Sequence, residues 1–204
     1  AGEDQVTSDL LKDGGEIMLE KLATLYTKCL STGRIPDSWK NANIILIHKK
    51  GDVKDLKNYR PISLLSVVYK LFTKVIANRI NTTLEFNQPK DQAGFRTGFS
   101  TTDHIHTINQ VIEKCAEYNQ PLYIAFIDYE KAFDSVETSA VMQALRNQGI
   151  DEAYINIMEE IYSGSTATIV LHKESDRIPI KKGVRQGDTI SPMLFTACLQ
   201  EVFR

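Results

Sequence analysis

Residues 122–137 read LYIAFIDYEKAFDSVE. From Leu122 to Ile127 the chain is nearly continuously apolar, the pattern of a strand buried on both faces, and it delivers Asp128 at its end. A carboxylate in that place costs free energy unless a cap or hydrogen bond, a salt bridge or a metal ion compensates it. From the residues alone Asp128 is either a structural carboxylate bonded to a loop amide or a ligand. Further on, Phe133 beside Ala132 reads as a core aromatic. Asp134 with Glu137 has the spacing of a capping box, opening a helix through Val141, Ala144 and Leu145 that stops at Gly149.

On the N-terminal side, Ile105, Ile108, Ile112 and Cys115 share one side of a helix that Pro121 closes and that the Gly-punctuated loop 92–100 introduces. Before it, Val68, Leu71, Phe72, Val75, Ile76 and Ile80 form a one-faced stripe from Ser66, preceded by a polar loop around Asn58 to Pro61. Asn43 to His48 is a short apolar run with a turn at Lys49, Lys50, Gly51 and Asp52, hence a strand. Leu19, Leu22, Tyr26, Cys29 and Leu30 mark a first helix stopped by Gly33. On the C-terminal side, Asp151 caps a helix carrying Tyr154, Ile155, Met158, Ile161 and Tyr162, ended by Gly164. Thr166 to His172 and Arg177 to Val184 read as a hairpin joined through Glu174, Ser175 and Asp176, and Ser191 with Pro192 opens a last helix. This order predicts an α+β fold, an antiparallel sheet with helices packed on one face.

At 204 residues, 42% hydrophobic and 25% charged, the chain has the composition of a globular domain. Its apolar runs are far shorter than the roughly 20 residues of a membrane helix, so no membrane span is predicted. The start, AGEDQVTSDLLKDGG, lacks the basic and apolar regions of a signal peptide and reads as an excised segment. Three widely spaced cysteines, Cys29, Cys115 and Cys198, argue for reduced core thiols in a reducing compartment. The four histidines lack partners at metal-ligand spacing. A net charge of −2 excludes binding nucleic acid through bulk charge, so any such binding is local. Basic residues gather at His48, Lys49, Lys50, Lys54, Lys57 and Arg60, and again at Lys181, Lys182 and Arg185, as a solvated surface or a phosphate-facing patch.

Four strings resemble the reverse transcriptases of non-LTR, LINE-like retrotransposons, and the RTE and CR1-like branches most. They are WKNANIILIHKKGDVKDLKNYRPISLLSVVYKLFTKVIANRI (39–80), QAGFRTGFSTTDHI (92–105), AFIDYEKAFDSV (125–136) and GVRQGDTISPMLF (183–195), in the family's order and separated by loop-sized gaps. The resemblance implies a right-hand polymerase: an N-terminal helical extension over 1–40, fingers over 41–120 and a partial palm over 121–204. It implies an RNA template, a DNA primer and a dNTP as partners. Asp128 would bridge two Mg2+ ions, with the backbone carbonyl of Tyr129 as a further ligand; hard oxygens suit Mg2+, and two such ions activate the primer hydroxyl and stabilise the leaving pyrophosphate. Phe133 would be the aromatic gate that excludes a ribose 2'-hydroxyl. Gln186 would lie near the incoming nucleotide and Gly187 would allow close approach to the nascent pair. Arg96 would grip the triphosphate with its planar fork, and Lys49, Lys50, Arg60 and Arg185 would face nucleic-acid phosphates.

The chain departs from the family pattern in two places. Phe99 stands where many relatives carry a basic residue. No Asp-Asp pair, the family's third palm motif, follows the helix opened by Ser191, which implies truncation before that motif, an open sheet edge, and a chain that does not polymerise by itself. The readings left open are a polymerase fragment, a non-catalytic nucleic-acid-binding remnant, and an unrelated α+β domain.

Overall fold

The computed structural model describes residues 2–170 and 175–203. Helices α1 (Ser8–Asp13) and α2 (Gly15–Thr32) come first, then strand β1 (Asn41–His48) and strand β2 (Tyr59–Leu64). Helices α3 (Val67–Asn87), α4 (Thr101–Glu117), α5 (Ala132–Ser135), α6 (Thr138–Asn147) and α7 (Glu152–Tyr162) follow. Strands β3 (Thr166–Ile169) and β4 (Ile178–Pro179) and helix α8 (Ser191–Val202) complete the chain. No helix among the described residues is long and apolar enough to cross a membrane.

The stripe predicted from Ser66 is the central helix. Ser66 caps α3 by accepting from the Tyr69 amide, and Tyr69, Phe72 and Ile76 are fully buried. Against them lie Leu145 of α6, Ile155 and Met158 of α7, and Leu194 and Ala197 of α8, all in one buried cluster. The first forty residues share that core: Tyr26 of α2 packs its ring 5.2 Å from Phe72, Trp39 lies 5.4 Å from the same ring, and the Tyr26 hydroxyl donates to the Val68 carbonyl at 2.8 Å. Gly33 ends α2 in the left-handed conformation, as its position after the apolar stripe predicts. Leu19 of that stripe is 60% exposed.

The sheet has the order β2-β1-β3-β4 and is mixed, which corrects the expectation of an antiparallel sheet. β1 and β2 form an antiparallel hairpin, but β1 runs parallel to β3, with Asn41 opposite Thr166. The helices between β1 and β3 supply the long crossover that a parallel pair requires. The region around Asn58 to Pro61, predicted as a polar loop, instead enters β2 at Tyr59. Pro61 is tolerated there because β2 is the edge strand, where a missing N–H disrupts no further ladder. The C-terminal hairpin forms with β3 opposite β4, but the second predicted strand shrinks to two residues. The expectations for His172 and Glu174 lie outside the described residues.

The largest departure is at 122–128. This stretch is irregular rather than a buried strand, with Tyr123 93%, Phe126 84% and Ile127 70% exposed. A strand needs a ladder partner, and among the described residues none pairs with it. Helix α4 before it is correctly capped, by a Ser100–Asp103 capping box, yet buries none of its residues, so the Ile105, Ile108 and Ile112 side faces solvent. The capping box expected at Asp134 and Glu137 does not form either. Asp134 lies inside the short α5, entered through Lys131 at φ 51°, and Glu137 precedes α6 without a side-chain cap bond.

Candidate active site

The turn Val184–Asp188 is where separate parts of the chain meet. Gly183 holds a positive φ of 93°, and a side chain there would meet the Asp134 backbone at 2.9 Å, so glycine lets this segment lie against α5. The Gly183 amide donates to the Val136 carbonyl (2.7 Å) and the Val184 amide to the Phe133 carbonyl (2.8 Å). Gln186 then reaches in two directions: its side-chain amide donates to Asp134 Oδ1 (3.0 Å), and its carbonyl accepts from the Ser63 amide of β2 (2.9 Å). Gly187, at φ 107°, would place a Cβ 2.9 Å from the Ser63 carbonyl. The close approach that Gly187 permits is thus to the chain's own strand β2.

Both flanks of this turn are anchored in the interior. Arg185 is buried; its Nη1 donates to the Trp39 carbonyl (2.9 Å), and its Nη2 to the Lys40 carbonyl (3.0 Å) and Ser165 Oγ (2.9 Å). Its guanidinium also lies 5.3 Å from the Tyr69 ring centroid. This corrects the expectation that Arg185 faces nucleic-acid phosphates: a side chain spending its donors on internal carbonyls is an anchor. Asp188, also buried, accepts from the Tyr69 hydroxyl (2.5 Å) and Thr73 Oγ1 (2.8 Å). Burial first, and the Asp188 charge second, push the Tyr69 phenol well above its ordinary range. Asp188 was missed in the sequence. The signal was the pair Tyr69 and Thr73, polar groups one helical turn apart inside the apolar stripe of α3, which require a buried partner.

An aromatic cluster stands beside the turn. Phe133, half-buried, stacks on Phe195 of α8 (centroids 4.9 Å, planes 15° apart) and meets Phe95 edge-on (5.7 Å, 80°). Arg96 donates from Nη1 to the Pro89 carbonyl (2.9 Å) and rests over the Phe99 ring at 4.5 Å, so Phe99 supports the neighbouring cation. A cleft of about 250 Å3 opens between β1, β3 and the turn, walled by Ser63, Asp134, Lys182 and Gln186 among others.

Lys49, Lys50 and Arg60 are exposed at the far end of the β1–β2 hairpin. The acids of that turn hold its backbone: Asp52 Oδ1 accepts from the Lys54 amide (2.9 Å) and Asp55 Oδ1 from the Lys57 amide (3.0 Å). The basic side chains project from a turn whose carboxylates are engaged locally.

Asp128 and Tyr129 stand apart from these contacts, in the irregular exposed stretch. Among the described residues no group of three or more His, Cys, Asp or Glu side chains is placed to hold a metal ion. Asp128 is exposed and offers hard carboxylate oxygens of the kind that suit Mg2+.

Residues 47–204 match the family described as "Reverse transcriptase (RNA-dependent DNA polymerase)", and the chain belongs to that family. More particularly, it is similar to proteins of mobile elements. It is 33% identical over 175 residues to the "Retrovirus-related Pol polyprotein from type-1 retrotransposable element R2" of Popillia japonica, covering 85% of this chain and 24% of that protein. It is 31% identical over 200 residues to the "Probable RNA-directed DNA polymerase from transposon BS" of Drosophila melanogaster (96% and 22%), and 29% identical over 198 residues to the "RNA-directed DNA polymerase from mobile element jockey" of the same organism (96% and 22%). The chain thus spans about a quarter or less of the length of these curated relatives.

Proposed function

We propose that this chain supplies the fingers and early palm of an RNA-directed DNA polymerase from a non-LTR retrotransposon, which in the intact protein extends a DNA primer on an RNA template. The observation that carries this reading is the convergence of four separate motifs: RPIS through Ser63 and AFDSV through Phe133 and Asp134 meet RQGD at its turn, and GFR joins them through the contact of Phe95 with Phe133. Chance matches to four strings do not explain why they converge in space.

In this reading Gln186, pinned by Asp134, and Gly187 border the incoming dNTP, Phe133 meets its sugar, and Arg96 meets its triphosphate. Lys49, Lys50 and Arg60 meet phosphates of template or nucleotide through sequence-independent, salt-sensitive attraction. Two Mg2+ ions would supply the phosphoryl-transfer chemistry in the intact protein. Asp128 and the Tyr129 backbone carbonyl would be among their ligands. The setting is intracellular and reducing.

The test is binding of an RNA–DNA template–primer and of a dNTP by the chain, alongside primer extension. The expected result is template–primer binding that weakens steeply with salt, weakens further on replacing Lys49, Lys50 and Arg60 by Ala irrespective of sequence, and occurs without extension by the chain alone. Binding of RNA with no affinity for dNTP would instead identify a non-catalytic remnant, and absence of both would refute the reading.

A further inference from the structure

We infer that Phe95, in the loop before α4, is a specificity-determining residue for the sugar of the incoming nucleotide, acting on the Phe133 ring. The inference rests on the reading of Phe133 as the sugar gate. It starts from a residue that hydrophobic burial does not explain: Phe95 leaves 66% of its surface exposed, and its backbone sits at φ 58°, in the left-handed region that bulky residues avoid. Strain at a bulky residue persists where the surroundings impose it, and it concentrates at working sites. The loop imposes it here. On one side the Arg96 amide closes a turn onto the Ala93 carbonyl (3.3 Å), and the Arg96 side chain is tied to the Pro89 carbonyl and set over Phe99.

The strained turn directs the Phe95 ring edge-on to Phe133, at 5.7 Å and 80°, an attractive geometry for two aromatic rings. On its other side Phe133 lies flat on Phe195, whose helix α8 is rooted in the core by the fully buried Leu194 and Ala197. Phe133 is therefore held between a fixed base and a ring carried by the loop. A gate that excludes one hydroxyl works only while its edge stays in place, since an apolar wall free to yield discriminates weakly against an added hydroxyl. Phe195 sets the floor of that position and Phe95 closes it from the fingers side.

The experiment measures the affinities of the chain for dGTP and for GTP in Mg2+ buffer, and their ratio, for the native sequence, Phe95→Ala, Phe95→Tyr, Phe133→Val and the Phe95→Ala/Phe133→Val double variant. Circular dichroism melting follows the fold, which an exposed ring is expected to leave intact. The expected result is a preference for dGTP that falls by about fivefold in Phe95→Ala, the scale of one aromatic-pair contact. It is kept in Phe95→Tyr, lost in Phe133→Val, and no lower in the double variant than in Phe133→Val, because the two residues act as one unit. A native preference in Phe95→Ala together with a lost one in Phe133→Val overturns the role of Phe95 alone. Equal weakening of both nucleotides in Phe95→Ala does the same, since that marks a loop contact without selectivity. No preference in the native chain, or one untouched by Phe133→Val, overturns the gate and the inference with it.

Discussion

The segment around Arg185 and the segment around Asp128 are held in opposite ways. Arg185 and Asp188 each have several internal hydrogen-bond partners, and the helices α3, α7 and α8 close over them. Around Asp128 the chain exposes Tyr123, Phe126 and Ile127 and follows a helix, α4, that buries nothing. The stretch 122–127 is the more apolar of the two in sequence, yet it is the exposed one. What separates them is contact: the first finds its partners within this chain, and the second finds no ladder partner among the described residues. Apolar pattern alone therefore does not specify a strand.

The contrast gives unequal mutational costs. Arg185→Ala leaves the Trp39 and Lys40 carbonyls and Ser165 Oγ without their buried donor, and should lower unfolding free energy by about 3 kcal/mol in urea titration. Gly187→Ala forces a side chain onto the Ser63 carbonyl at positive φ and should cost about 1–3 kcal/mol. In the exposed stretch, Phe126→Ser should change stability by no more than about 0.5 kcal/mol while reducing self-association in sedimentation, because the ring is already in water. A cost for Phe126→Ser that rivals Arg185→Ala would erase the distinction.

Alkaline titration probes the buried side independently. Burial raises the Tyr26 phenol from its ordinary 10 to about 12, and raises Tyr69 and Tyr162 as well. These groups keep their protons longer in the folded chain than in the unfolded one. The stability they confer is complete below pH 10 and is lost as pH rises toward 12 and beyond. Tyr26→Phe should make that alkaline loss shallower, as read by fluorescence-detected unfolding across this range.

The helices were legible because their signals are local. Periodicity found α2, α3 and α7, and Ser66 and Gly33 marked a start and a stop where the structure has them. The site was legible as strings but not as geometry. Gln186 and Phe133 do lie beside one another's segments, whereas Arg185, read as a phosphate contact, turns inward because the carbonyls just before β1 and at the end of α7 converge on it. Nothing in the string RQGD distinguishes an arginine facing out from one facing in. Pro61 misled toward a loop because the edge position of β2 is a property of the sheet, not of the local sequence.

The most direct measurement is residue-resolved amide hydrogen exchange on this chain. Amides of α3 and α7 should exchange only through global unfolding, while those of 122–128 should exchange at nearly the unprotected rate. Protection at 122–128 comparable to that of α3 would contradict the account, since it would mean that Asp128 already sits at the end of an ordered strand.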